Sequence, residues 1–441
     1  MDGRAASQTV TDKIPFLIEK GIKPVVLSGV MGYKDTRFPH LRLLPMGPSA
    51  LKFDLRFVLR KWVSEGRARG LTYQMGTLLL SLIFMPFIVL EKLIFARQSQ
   101  WSWAFSAYIV GLWTIRRYKL DCIYVTGGSY SAQSAGIWLK RTTGLPLLVE
   151  VHDPLVFRGK KDARLSTRDS RYQAKLEGEI AQHADLAWWF TRGALASAQA
   201  RHVALLKNGI VVIPGANPPT SHVRYQRTDK LIFAHFGTLA NARSLNRFIE
   251  AFPLAIKHIP AILDVIQLHI YGGALDHLSK AALNQTRLQM QVKEWGRLEF
   301  ESVTGLTGRE QVMQKMQRAD VLLLPHGEID NCAEYIPSKL YEYFWAERPV
   351  FGLTHKNESI DTMILERGGY CASAINVEAI AAEIVRIYQD WKEKAPRRPF
   401  ANSGVSDAPW QAATPPLGVG ESVEQILQAM QERGIERKQS I

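Results

Sequence analysis

Two glutamates eight positions apart, Glu334 and Glu342, frame the stretch EYIPSKLYEYFWAERPVFG at 334–352. Pro337 and Ser338 read as a helix start, with proline tolerated in the first turn and Ser338 able to cap. Helix formers and aromatics continue to Ala346, Pro349 stops the run, and Val350-Phe351-Gly352 reads as a buried strand. Glu334 is therefore expected in the loop before a helix, and Glu342 about one turn inside it. A helix N-terminus offers free N–H groups and a positive dipole end, which suit a phosphate. Carboxylates on either side of that point can accept hydrogen bonds from hydroxyls. A sugar joined to a nucleoside by a diphosphate has this layout of hydroxyls, phosphates and ribose hydroxyls.

Other residues offer matching chemistry. Gly237-Thr238 ends a strand and meets a loop holding Arg243. Glycine there permits close backbone approach to phosphate, arginine can neutralise diphosphate oxygens, and Lys339 supplies a second cation. For Arg243 the plainer alternative is a surface helix arginine. His152 follows the apolar strand LPLLVEV, at the sheet edge where open α/β folds bind ligands. Its neutral ring can donate to a sugar oxygen or to developing charge, and the plainer alternative is a capping or core histidine. Asp153 beside it reads as an acceptor-site carboxylate or as Asp-Pro turn chemistry. Gly127-Gly128-Ser129 ends another strand but is not a G-x-G-x-x-G fingerprint, which disfavours nicotinamide. His326, Glu328, Asp330, Cys332 and Glu334 alternate at period two, yet standard zinc spacings are missing. A solvated acidic loop is the plainer reading, and no metal is expected.

Further stretches follow in order along the chain: VEVHDPL at 149–155, HFGTLANARSL at 235–245, LHIYGG at 268–273 and RADVLLLP at 318–325. With the glutamate pair, they make the chain resemble retaining glycosyltransferases of the GT-B fold, especially glycosyltransferase family 4, over residues 2–395. The resemblance implies an α/β chain with two Rossmann-like domains facing a central cleft. It implies transfer of a sugar, with retention, from a UDP- or GDP-sugar to a lipid-linked or glycan acceptor in cell-surface polysaccharide synthesis. The nucleotide sugar is a substrate, and no cofactor is implied. His152 and Glu334 would be catalytic, with Glu334 on the donor sugar and Glu342 on the ribose. Gly237, Thr238, Arg243, Ser338 and Lys339 would complete the donor site, and Gly3 and Asp153 would serve the acceptor. The familiar form of the motif has Gly-Phe-Gly after the first glutamate. Here it is Tyr335-Ile336-Pro337, so phosphate contact must come from the amides of Ser338 and Lys339. The chain has no D-x-D pair, the device by which GT-A transferases hold a divalent ion, which fits metal-independent chemistry. The alternatives are a GT-B nucleotide-sugar epimerase and a non-catalytic partner that binds sugar nucleotide or membrane.

The elements that must position these residues alternate between strand and helix, which implies parallel sheets wrapped by helices. Strands are expected at 24–28, 41–44, 121–125, 146–151, 185–190 and 210–213, then at 231–236, 265–271, 298–303, 320–325 and 349–353. Between them lie helical stretches, and 214–229 reads as a linker. The 441 residues suit two domains of about 200 residues each. These are an acceptor-binding, membrane-facing domain at 1–215 and a nucleotide-sugar domain at 216–395. A Pro/Gly-rich tail at 396–441 ends in a helix that, by resemblance, returns to the first domain. Residues 2–4 leave no room for the strand that opens a Rossmann domain, so the true start is expected upstream of Met1.

Residues 1–215 carry 30 Lys and Arg against 15 Asp and Glu, whereas the rest is near balance. No nucleic-acid motif accompanies this charge, so an anionic membrane is the expected partner. Residues 70–90, GLTYQMGTLLLSLIFMPFIVL, hold no charge and are long enough to span a bilayer. A span would keep strand 24–28 from joining strand 121–125 in one sheet. An in-plane helix is therefore expected, with Leu80, Ile83 and Phe84 toward lipid. A buried core helix and a true span are the alternatives. Three cysteines without a C-x-x-C pair point to a reducing compartment. The expected location is cytoplasmic, peripheral at the inner face of the membrane.

Overall fold

The computed structural model describes residues 5–31, 34–62, 67–94, 99–127, 130–156, 168–286, 288, 291–328, 330–393 and 416–435. Two compact units emerge: Met1–Pro214 with Val419–Ile441, and Gly215–Gly418.

The first unit contains strands β1 (Val26–Gly29), β2 (His40–Leu43), β3 (Ile123–Val125), β4 (Leu147–Val151), β5 (Leu186–Trp189) and β6 (Gly209–Val211). Its helices are α1 (Ala5–Glu19), α2 (Pro48–Trp62), α3 (Arg67–Ile94), α4 (Trp103–Tyr118), α5 (Tyr130–Thr143), α6 (Arg168–His183), α7 (Arg192–Gln199) and α8 (Leu205–Asn208). β3 to β6 form a parallel four-stranded sheet in sequence order. β4 and β5 are buried at every position, so neither faces solvent. The last helix of the chain, Val419–Glu432, belongs to this unit. Its Ile426, Ala429 and Met430 pack on one face of the sheet with Leu148 and Trp188.

β1 and β2 pair with each other in a separate two-stranded parallel sheet. The expected joining of strand 24–28 to strand 121–125 is therefore not found: among the described residues no strand bridges β1 and β3. A parallel pair needs backbone partners in register, and nothing described here supplies them.

The second unit holds β7 (Leu231–Gly237), β8 (Ile266–Gly272), β9 (Val292–Gly296), β10 (Val321–Pro325), β11 (Val350–Thr354) and β12 (Tyr370–Ser373). Its helices are α9 (Asn246–His258), α10 (Ile262–Val265), α11 (His277–Gln285), α12 (Gly308–Arg318), α13 (Lys339–Trp345), α14 (Glu358–Leu365) and α15 (Val377–Glu393), and the terminal helix is α16. The parallel sheet has order β12-β11-β10-β7-β8-β9. One face carries Phe233, Ile270, Leu323 and Phe351 in a core with α9 and α15, and the other carries Phe236, Leu322 and Leu324 with α13 and α14. This is the doubly wound order: the first strand, β7, lies beside the fourth, β10, and the connections depart in opposite directions from that pair. The crevice at the carboxyl ends of such a pair is where open α/β sheets bind ligands.

The strand expected at 298–303 is a loop, and the strand forms earlier, at β9. β9 is an edge strand and needs little apolar surface, so VKEWG suffices, while Phe300 and Val303 stay exposed. Strand β12 was not among the expected strands.

Candidate functional site

The β7–β10 crevice is lined by bare backbone. Gly237 closes β7 at φ +123°, its cross-strand partner Gly272 closes β8 at φ +105°, and Gly327 lies just past β10 at φ +128°. Side chains rarely tolerate these angles; Gly272 and Gly327 also allow close packing against the Gly237 and Ala242 carbonyls, while Gly237 leaves its backbone open beside Lys339. Beyond Gly237 and the exposed Thr238, the chain turns at Ala240–Arg243, closed by Arg243 N–H on the Ala240 carbonyl at 2.7 Å. Ser244 anchors this turn by donating to Asp276 at 2.8 Å, and Asp276 caps α11. Arg243 thus projects from a pinned turn. A Cβ on Gly327 would clash with Cys332 Sγ at 2.6 Å and the Ala242 carbonyl at 2.7 Å and stand 3.6 Å from Arg243 Cγ, whereas one on Gly237 would meet Lys339 Nζ at 3.0 Å. The structure therefore brings Gly237, Arg243 and Lys339 to one edge.

The electrostatics there are unbalanced. Burial and then the neighbouring Arg243 charge lower Lys339 to about 8, with Glu342 only partly opposing. Among the described residues neither Arg243 nor Lys339 has a carboxylate within ion-pair distance. Two buried imidazoles lie within reach of the same charges. His235 Nδ1 donates to the Leu323 carbonyl at 3.1 Å, and His326 Nε2 donates to the Cys332 carbonyl at 2.8 Å. Burial first, with Lys339 and Arg243 adding to it and the carbonyl hydrogen bonds opposing, lowers both, His326 to about 4, so both are neutral near pH 7. Two cations over neutral groups, beside open backbone, favour an anion.

Glu334 is buried at the end of a 3₁₀ turn, Asp330–Glu334. Buried Asn357 holds that turn. Its Nδ2 donates to the Cys332 carbonyl at 2.7 Å and the Tyr335 carbonyl at 3.0 Å, while its Oδ1 accepts from Ile360 N–H at 3.1 Å and caps α14. Asn357→Ala would remove a cap and two hydrogen bonds to the turn, leaving the Cys332 carbonyl to His326. It is expected to lower stability by about 2–3 kcal/mol, read from the urea midpoint.

Ser338 occupies the N-cap position of α13 but makes no side-chain cap hydrogen bond, contrary to expectation. Its backbone is already helical, at φ −56° and ψ −31°, whereas a capping side chain needs extended backbone. Its side chain is exposed. Glu342 lies in the first turn of α13 and pairs with Arg309 of α12 at 3.3 Å. In the loop with alternating His326, Glu328, Asp330, Cys332 and Glu334, the His326 ring turns to the Cys332 carbonyl. Among the described residues no three such groups are placed to hold a metal ion.

In the first unit, His152 directly follows β4 and is largely enclosed. Its Nε2 lies 3.2 Å from Thr126 Oγ1 and 3.6 Å from Glu150, and its ring packs on Phe190. Glu150 is fully buried and receives hydrogen bonds from Lys13 of α1, Tyr124 and Thr126. Burial alone would raise its carboxyl. Lys13 and His152 reverse this and hold it well below the usual range. Asp153 is exposed. Gly3, Gly128 and Ser129 lie outside the described residues.

His235, Gly272, Arg309, Gly327 and Asn357 escaped the sequence reading of the donor site. His235 and Gly272 fall within quoted stretches, and asparagine before a helical run signals a cap for Asn357. Nothing local marks Arg309, whose role depends on a contact 33 positions away.

Residues 230–390 match the family described as glycosyl transferases group 1. No curated protein sequence matches the chain. Among solved structures, the Anabaena protein Alr3699/HepE in complex with UDP and glucose is similar at 15% identity and TM-score 0.51, with 73% of this chain and 80% of that chain covered. The S. aureus TarM G117R mutant in complex with fondaparinux, alpha-GlcNAc-glycerol and UDP follows at 12% identity and TM-score 0.48, with 74% of this chain and 58% of that chain covered. The first likeness shows the fold, the two Rossmann-like domains of GT-B proteins.

Proposed function

We propose that the protein is a glycosyltransferase that moves a sugar from a nucleoside-diphosphate donor to a lipid-linked or glycan acceptor. The observation that carries this reading is the uncompensated Arg243–Lys339 pair at the glycine-lined β7–β10 crevice. The family match over 230–390, which spans that crevice, supports it. A diphosphate supplies the charge the pair lacks, and the bare Gly237 backbone lets it approach closely.

In the reaction proposed, the bond from the anomeric carbon to the diphosphate oxygen breaks. The acceptor oxygen bonds to that carbon on the same face, giving retention, and the acceptor proton passes to the leaving diphosphate. Arg243 and Lys339 stabilise the charge that grows on the leaving group. Glu334 holds a donor-sugar hydroxyl and Glu342 a ribose hydroxyl, with Thr238 and Ser338 beside the phosphates. His152 and Asp153 are the first unit's candidates for donor-sugar and acceptor contacts. No metal is required in this scheme, because the two cations already do the work of a divalent ion. The proposed setting is polysaccharide synthesis at the inner face of the membrane.

Released nucleoside diphosphate, measured with lipid extracts as acceptor and excess EDTA present, tests this. Glu334→Gln should lower turnover roughly thirtyfold while nucleoside diphosphate still binds, the size expected for one hydrogen bond to a charged group. Wild-type turnover in that variant would remove Glu334 from the mechanism. Activity lost in EDTA and restored by manganese or magnesium would overturn metal independence.

A further inference from the structure

Helix α3 presents an apolar side to solvent that none of the described residues of its own unit covers. Within Gly70–Ile94 an 18-residue stretch has a mean hydropathy of 2.1 with 6% of it buried, far too exposed for a core helix. Leu78, Leu82, Met85, Val89 and Leu93 recur every three or four residues down one side, each at least half exposed. A second row beginning at Leu79 and Ile83 runs beside it, so the bare arc covers more than half the helix girth. Leu80 and Phe84, expected to face outward, are half-buried on the opposite side, and only Ile83 of that trio points out. That inner side meets α2, where Leu59 fills the notch left by Gly76.

The flanks of α3 are tied together. Before the helix, the Leu43 and Leu44 carbonyls accept from Trp103 Nε1 at 3.2 Å and Ser106 Oγ at 2.6 Å, both after it. Buried Glu91, near the end of α3, accepts from Ser49 N–H at the start of α2 at 2.9 Å and from Trp101 Nε1 at 2.7 Å. A spanning helix must put its two flanks on opposite sides of the bilayer. These hydrogen bonds keep them on the same side.

Charge identifies what covers the face. Lys52, Arg56 and Arg60 recur at four-residue spacing along α2, and none is ion-paired among the described residues. Lys92 is exposed at the end of α3, and residues 1–215 carry 30 Lys and Arg against 15 Asp and Glu. A second copy of the chain would bring the same excess of positive charge against itself. An anionic surface would neutralise it.

We propose that the outer face of α3, flanked by the α2 cations, docks in the plane of an anionic lipid bilayer and anchors the first unit there without crossing it. The proposal is independent of the donor chemistry, since both the surface and its test lie outside the β7–β10 crevice. Co-sedimentation of the full chain with phosphatidylcholine vesicles, with and without phosphatidylglycerol, tests it. Binding should need the anionic lipid, fall with salt, and drop at least about tenfold when Leu78, Leu82 and Met85 are all changed to serine. The exposed positions should leave the melting temperature near wild type, which separates lost docking from lost folding. Lys52→Gln with Arg56→Gln should weaken binding to anionic vesicles and reduce its salt dependence. Equal binding to both vesicles, unchanged binding by the serine variant, or resistance of vesicle-bound protein to alkaline carbonate would overturn the proposal. So would a lipid-free dimer that the serine changes dissociate.

Discussion

Arg243→Ala is expected to weaken binding of a nucleoside diphosphate by about a hundred- to a thousandfold, with transfer falling at least as far. The side chain stands on a turn fixed by the Ala240–Arg243 bridge and the Ser244–Asp276 hydrogen bond, so its loss cannot be made good by a neighbour. Lys339 then remains as the cation beside Gly237. Lys339 is lowered to about 8 by burial and by Arg243, and an anion favours its charged form. Binding above pH 8 must therefore take up a proton, and affinity should fall as pH rises, by up to about tenfold per unit. Removing Arg243 lifts one cause of the lowered value, so the fall should move to higher pH in Arg243→Ala. Calorimetric titration between pH 7 and 9 checks both. Unchanged affinity in Arg243→Ala would place the diphosphate elsewhere.

Lys13→Met is expected to destabilise the first unit by about 3–5 kcal/mol. The substitution leaves Glu150 fully buried without its lysine, with Tyr124 and Thr126 donating to it and His152 3.6 Å away. The sign with pH follows from the carboxyl, whose folded value lies below its ordinary 4.5. The stabilisation is present above about pH 4.5 and is lost as pH falls through the folded value. In Lys13→Met the carboxyl takes a proton more readily, so the deficit should shrink toward low pH. Lys13→Met with Glu150→Gln should recover part of the loss at pH 7. Single variants within about 0.5 kcal/mol of wild type in urea melts would deny the pair its role. Because Glu150 and Thr126 also touch His152, the same variants should disturb that ring.

The second unit was legible because its strands are written plainly. LIFAHFG, VLLLP and VFGLT are apolar runs bounded by glycine or proline, and a central parallel strand has no polar face to disguise it. Edge strand β9 had no such signature and was placed six residues too late. The glycine at 237 and the cations at 243 and 339 could be read from type and spacing. Their meeting at one edge could not, because it depends on β7 lying beside β10. Ser338 shows the limit of motif reading: serine before a helix caps only with extended backbone, and here the backbone is helical. In the first unit every expected strand formed, yet the expected single sheet did not. Strand propensity is local, whereas pairing needs a neighbour in register.

The most direct measurement is a calorimetric titration of UDP and of GDP into the full-length protein in excess EDTA. Saturable binding of at least one, with a Kd raised about a hundredfold or more by Arg243→Ala and affinity falling above pH 8, is the result predicted. Absence of binding by both nucleotides in a protein that melts cooperatively would contradict a nucleoside-diphosphate site at the β7–β10 crevice, and with it the proposed transfer.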